Sequence, residues 1–161
     1  MSGTPNFRPR ALGEIAIRCG DMASMVAFYR DVIGLELMAG GADADITFFR
    51  IANGFGGHTT VLALFLHSAG TRPGLHPTGS HPPATGAGSS LHHIALSLPY
   101  EEQEAVMRWY DSLGQPYRVE RFDWIGWRGI FTEDPEGNTV ELVAHHPSLL
   151  NPATMRGTGA A

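Results

Sequence analysis

Cysteine is almost missing: Cys19 stands alone in 161 residues, so no disulfide framework can hold this chain together. Basic charge is also short. Eleven basic residues against 16 acidic ones leave a formal net charge of −5, which excludes the usual electrostatic footprint of a nucleic-acid or anionic-membrane binder. No apolar run has the length of a membrane span, and the N-terminal stretch does not resemble a signal peptide. The expectation is a cytoplasmic protein whose partner is a small molecule. What the chain does have is 43% apolar residues, enough for a core in one ordinary domain or two small halves.

The most informative stretch lies near the end, residues 128–143. Asp134-Pro135-Glu136-Gly137 reads as a tight turn, because Pro135 pre-sets its own φ and Gly137 accepts a positive φ without steric cost. Residues 130–132 and 139–143 then read as an antiparallel pair. On the return strand Glu141 points away from Val140 and Leu142 and stands among apolar residues. A carboxylate in such a place needs a partner, and a divalent metal is a good one.

In chain order, residues 1–10 form an arm without periodicity. Residues 12–18 alternate as a strand. Asp21 is placed to cap a helix whose Met22, Met25, Val26, Tyr29, Val32 and Ile33 fall at helical spacing before Gly34. Strands follow at 35–38, 46–51 and 59–66, which gives a βαβββ unit. Residues 68–90 are rich in glycine and proline and read as a linker, with His76 and His81 solvated. The pattern then restarts: a strand at 91–98, a helix at 101–113 with Val106, Trp109, Tyr110 and Leu113 inward, and strands at 117–122, 127–132 and 139–144. The expected organisation is one domain over 11–146, built of modules 11–67 and 91–146, with a tail at 147–161. Sliding the halves by 79 residues matches Glu14 with His93 and Leu62 with Glu141.

The segments Leu12-Gly-Glu-Ile-Ala-Ile17, Ala27-Phe-Tyr-Arg-Asp-Val-Ile-Gly-Leu35, Leu91-His-His-Ile-Ala-Leu96 and Asp134-Pro-Glu-Gly-Asn-Thr-Val-Glu-Leu142 resemble the vicinal oxygen chelate (VOC) superfamily of glyoxalases, extradiol dioxygenases, epimerases and drug-binding proteins. The resemblance implies an α+β fold of two paired βαβββ modules forming a half-open barrel around a metal cavity, and often a homodimer. It places metal ligands on the first and last strand of each module, here Glu14, Leu62, His93 and Glu141, of which Leu62 has no donor. One imidazole and two carboxylates suit a divalent ion, Fe²⁺ or Mn²⁺ before Ni²⁺ or Zn²⁺, with positions left open for a substrate's vicinal oxygens. A three-ligand set matches the extradiol dioxygenases more closely than the four-ligand glyoxalases.

The chain departs from its ring-cleaving relatives twice: Glu14 stands where they carry histidine, and Phe131 where they carry tyrosine. A glyoxalase-type or epimerase-type isomerase, with Glu14 or Glu141 moving a proton, and a metal-free drug-binding protein therefore remain as alternatives. His58, in a glycine-rich turn, is a candidate acid or base if it enters the cavity, against the commoner solvated turn histidine. Trp124, Trp127 and Arg128, with Phe131, are candidate substrate contacts, the tryptophans as a wall and the guanidinium as an anion clamp. Core packing is an equal reading for the tryptophans. His92 is expected on the helix side, and His67, His145 and His146 at the surface.

Overall fold

A computed structural model describes residues 6–69, 81, 83–151 and 153. Most of the expected linker and C-terminal tail, and half of the N-terminal arm, therefore lie outside the described residues, His76 with them. The chain divides into two compact units, Met1–Pro83 and Ala84–Ala161, the division falling inside the 68–90 stretch. Each unit is one four-stranded mixed sheet with a helix, so the fold is two βαβββ modules.

Module one runs β1 (Glu14–Cys19), α1 (Met22–Ala27), β2 (Glu36–Ala39), β3 (Ile46–Asn53) and β4 (Thr59–Leu66). Its sheet order is β1-β4-β3-β2, with β1 and β4 parallel and the other pairs antiparallel. Asp21 caps α1 as its position predicts, accepting from the Ser24 amide at 3.2 Å. The helix does not continue as one regular element. Phe28–Val32 forms a π-helical turn, in which the Ile33 amide donates to the Phe28 carbonyl at 3.1 Å. That widened turn buries Phe28 as well as Tyr29, and the Tyr29 ring meets Phe49 of the sheet at 6.2 Å in a tilted contact. Helical spacing alone does not register a π-turn, because one extra residue shifts every later side chain.

Module two repeats the plan with β5 (Ile94–Ser97), α2 (Gln103–Leu113), β6 (Arg118–Phe122), β7 (Trp127–Glu133) and β8 (Thr139–His145), in the order β5-β8-β7-β6. The Asp134 turn forms as expected: its carboxylate accepts from the Glu136 and Asn138 amides at 3.0 and 2.9 Å and from Asn138 Nδ2 at 2.8 Å. Gly137, at φ 85°, then lets the chain return as β8. The inward stripe of α2 is a correction to the periodicity reading. Trp109 and Leu113 are 48% and 46% exposed, and the stripe that meets the sheet is Gln103, Val106, Met107 and Tyr110. A buried glutamine holds the first position, its amide donating to the carbonyls of Arg128 and Leu142 at 2.7 and 3.1 Å. A pattern that counts only apolar residues passes over it. No helix among the described residues is long and apolar enough to cross a membrane.

Alternation gives each sheet two unlike faces. Under the helices lie Phe49, Leu62 and Leu64 in module one and Ile94, Ile130 and Val140 in module two, all fully buried. One group in the second core is unsatisfied. The Tyr110 hydroxyl is buried without a hydrogen-bond partner among the described residues, and burial pushes the phenol up to about 12. An orphaned buried hydroxyl costs about 1–3 kcal/mol, so Tyr110→Phe should stabilise the protein by about 1 kcal/mol and raise Tm by a few degrees. Urea unfolding of both proteins checks this, and a loss of stability on removing the hydroxyl would show that Tyr110 has a partner.

Candidate metal and substrate site

The open face of module two carries the residues that the sequence singles out most clearly. Ala95 and Glu141 are ladder partners across β5 and β8, and His93, two residues before Ala95, falls on the same face just ahead of β5. His93 Nε2 lies 3.3 Å from Glu141 Oε2. Glu141 is nearly enclosed, with 7% of its side chain exposed, whereas His93 is one-third exposed. The other ring nitrogen of His93 shares a hydrogen bond with His92 Nδ1 at 2.7 Å, which fixes the imidazole plane from behind. His92 is therefore an exposed positioning neighbour rather than a core residue.

Glycine at position 129 makes room for this pair. Gly129 sits on β7 opposite Val143, and a Cβ built there would stand 2.2 Å from Glu141 Oε1 and 2.7 Å from the Phe131 ring. No side chain fits, so the carboxylate lies over bare backbone. Sequence reasoning missed Gly129; an isolated glycine inside a strand is the signal for such a close approach. Around the carboxylate the face is aromatic. Phe131 is Glu141's ladder partner on β7 and meets His93 at 6.1 Å and Phe122 at 6.4 Å, while Trp127 is the ladder partner of Phe122. Trp127 is 41% exposed on this face, and Trp124, 44% exposed, stands in the turn before β7.

Arg128 is placed otherwise. It alternates with Trp127 and so faces α2, where Nε donates to Gln103 Oε1 at 2.6 Å and Nη2 lies 3.1 Å from Glu104 Oε1. Its guanidinium also covers the Tyr100 ring at 4.5 Å. The structure thus brings together His93, Glu141, Phe131 and Trp127 and leaves Arg128 on the opposite side of the sheet.

In module one Glu14 begins β1 and is exposed, on the face of Ala16 and opposite Ile15. The His58 ring lies over Gly13, with its nearest atom 3.3 Å from where a Gly13 Cβ would stand. The predicted acid or base thus rests against the residue next to Glu14. The repeat alignment needs correction here. Across β5 and β8 Ala95 pairs with Glu141, while across β1 and β4 Ala16 pairs with Ala63 and Leu62 pairs with Ile15. Leu62 consequently packs under the helix, and Ala63 is the position equivalent to Glu141. One constant offset cannot absorb the extra residue that module one carries between the paired positions of its first and last strands. The fourth slot lacks a donor with either residue.

Among the described residues no three of His, Cys, Asp and Glu gather into one metal-holding group. Module two supplies two donors, and their spacing fits an ion: ligands about 2.1 Å from one metal at tetrahedral to octahedral angles stand roughly 3.0–3.4 Å apart. Burial raises the Glu141 carboxyl above its usual range, and His93 offsets this in part through its charge and hydrogen bond.

The family described as the Glyoxalase/Bleomycin resistance protein/Dioxygenase superfamily matches residues 11–142. Among solved structures the chain is similar to the lactoylglutathione lyase of Agrobacterium tumefaciens, with 26% identity and TM-score 0.59 over 85% of this chain and 95% of that one. It is similar to a glyoxalase/dioxygenase from Nostoc punctiforme, with 20% identity and TM-score 0.61 over 90% and 99%. A third likeness is to a variant of the fosfomycin resistance protein FosX of Listeria monocytogenes complexed with Mn(II) and 1S,2S-dihydroxypropylphosphonic acid, with 17% identity and TM-score 0.60 over 88% and 97%. No curated protein matches.

Two expectations follow from the geometry. A buried acid with a raised pKa stabilises fully below its unfolded pKa and loses that contribution as pH rises through the folded value, so ionised Glu141 works against folding at neutral pH. Metal-free Glu141→Gln should accordingly outlast wild type in urea at pH 7, with the gap closing near pH 4; an unchanged gap would remove burial as the cause. Gly129→Ala should cost about 1–3 kcal/mol by forcing the carboxylate aside. Its cost should shrink in a Glu141→Ala background, and strictly additive costs in that double-mutant cycle would deny the contact.

Proposed function

This chain belongs to the Glyoxalase/Bleomycin resistance protein/Dioxygenase superfamily, and we propose that within it the protein is a metal-dependent enzyme binding a small substrate through vicinal oxygens, its reaction most like that of an extradiol dioxygenase. The observation that carries the reading is the His93–Glu141 pair at 3.3 Å, seated over Gly129 on an aromatic face. Glu14 is proposed as the third ligand and a homodimer as the assembly. A divalent ion, when bound, supplies Lewis-acid polarisation of the substrate's oxygens. Mn²⁺ or Fe²⁺ is favoured, since two carboxylates make a hard ligand set and the FosX variant was seen with Mn(II).

The chain's own residues account for the rest. With an ion bound, Glu141 and His93 would serve as its ligands, and the ion's charge would relieve a carboxylate that burial alone disfavours. Phe131, Phe122 and Trp127 offer an apolar, aromatic surface beside the donors. A ring bearing adjacent oxygens suits both features. Ala63 leaves the fourth slot without a donor, which supports the three-ligand, ring-cleaving class over the four-ligand one.

One observation favours a second reading. His58 rests over Gly13, the residue before Glu14, and an imidazole or a carboxylate can accept or return a proton at a substrate carbon, as a glyoxalase-type or epimerase-type isomerase requires. Phe131 favours it too, having no hydroxyl to offer a ring-cleavage step. A drug-binding protein without metal is the remaining alternative, using Trp124 and Trp127 to hold a planar ligand.

Isothermal titration with Fe²⁺, Mn²⁺, Ni²⁺ and Zn²⁺ separates these readings. Wild type should bind, and His93→Ala should bind at least about tenfold more weakly; equal titrations would remove the site. If metal binds, oxygen uptake with catechols supports ring cleavage, whereas turnover of a hemithioacetal or acyl thioester without oxygen replaces it with the isomerase.

A further inference from the structure

On the open face of module one a single row crosses the sheet. Glu14 on β1 pairs with Val61 on β4, Val61 with Arg50 on β3, and Arg50 with Glu36 on β2. Alternation fixes its direction, because neighbouring Phe49 is fully buried on the helix side against Tyr29. Arg50 therefore stands on the face of Glu14, with only the apolar Val61 between them. Two strand spacings, about 9.6 Å, separate the two backbones, and the long arginine stem can close part of that gap.

The guanidinium is held but not neutralised. Nη2 donates to Asn53 Oδ1, while Nε lies 3.9 Å from Glu36 Oε2, a carboxylate that is 73% exposed. An exposed pair at that distance contributes at most about 1 kcal/mol. Nη1 is left without a hydrogen bond among the described residues. Arg18 is the other guanidinium on this face, at the far end of β1, where its ladder partner is Phe65. Arg50 alone is level with Glu14.

We propose that Arg50 is the anion-recognition residue of this site, selecting substrates that carry a carboxylate or phosphonate beside their vicinal oxygens. The inference rests on the reading of Glu14 as a ligand that brings substrate to this face. A planar guanidinium with uncommitted donors matches either oxyanion through paired, charge-assisted hydrogen bonds. Glu14 adds negative charge next to the substrate, so an anionic substrate needs a fixed cation nearby to be tolerated. Arg128, the guanidinium that the sequence suggests for this task, is engaged with Gln103 and Glu104 on the other face of its sheet.

The test starts with Mn²⁺ titrations of wild type and Arg50→Gln, which should agree within about twofold, since Arg50 is not a ligand. The Mn²⁺-loaded proteins are then titrated with catechol and with 3,4-dihydroxybenzoate, which differ by one carboxylate. Wild type should prefer the carboxylated probe by about tenfold or more, the scale of a charge-assisted pair. Arg50→Gln should bind both alike, and Arg50→Lys should keep part of the preference. A wild type that does not discriminate, or a preference that survives in Arg50→Gln, overturns the proposal. If neither protein binds Mn²⁺, the metal reading falls while Arg50 is still decided without metal. The Arg50 Nε–Hε resonance, identified by its loss in Arg50→Gln, should move when methylphosphonate or acetate is added. A resonance that stays in place with both overturns the proposal, and the larger of two responses tells phosphonate from carboxylate.

Discussion

The structure of module two depends on one constraint, a carboxylate that must be enclosed in a sheet without losing its charge partner. Glu141 is buried where its strand should carry an apolar residue, and three features make this tolerable. Gly129 withdraws its side chain so that Oε1 can lie against backbone, and His93 closes on Oε2 at 3.3 Å. The Asp134 turn fixes the third. By locking three donors onto one carboxylate it sets the register of β7 against β8, which places Phe131 rather than its neighbours beside Glu141. A slip of one residue would bring Ile130 or Thr132 to the carboxylate and turn Phe131 under the helix. The turn is thus part of the site although it touches no ligand.

The same parity decides which charged groups can act together. Trp127 and Arg128 are adjacent in sequence, and proximity to Glu141 makes both attractive as substrate contacts. The pleat sends them to opposite faces, and Arg128 finds Gln103, Glu104 and Tyr100 there. Its burial under α2 in turn explains why that helix begins with a buried glutamine: the amide accepts from the guanidinium and donates to two strand carbonyls. A guanidinium under a helix is costly unless its donors are matched, and here Nε has a hydrogen bond, the charge lies beside Glu104, and the ring of Tyr100 faces the guanidinium. Arg128 is engaged under its helix, whereas Arg50, the guanidinium proposed for recognition, stands on the open face of its sheet.

Much of this was legible in the residues. The Asp21 cap, the Asp134 turn, the succession of elements along the chain and the doubled βαβββ plan all follow from local rules, and each is found. That His93 and Glu141 share one site is what the family resemblance implies, and alternation along their strands agrees with the contact found. The failures share a physical cause. A constant offset matches Leu62 to Glu141, and the pairing of first and last strands in each module makes the equivalent position Ala63. Trp109 and Leu113 were turned inward because Gln103 and Met107 do not look like the core stripe they form. Gly129 and Arg50 were passed over because their meaning lies across strands, in partners remote along the chain. Local chemistry writes elements; register and face are written by pairs.

The two modules have not kept equal shares of the donors. Module two carries a nitrogen and an oxygen already in contact, the oxygen buried and the pair braced by His92 and Gly129. Module one carries an exposed carboxylate with a guanidinium on the same row and an imidazole over Gly13, with alanine where the repeat would put a second acid. A preorganised pair costs folding stability through Glu141, whereas exposed groups cost little and can change without harm to the core. Under the proposed function this asymmetry divides the work. The braced pair fixes where an ion would sit, and the exposed row of module one sets its charge and the substrate it accepts. Glu14 in place of histidine is then a change on the permissive side, one that alters chemistry while leaving the sheet that carries it intact.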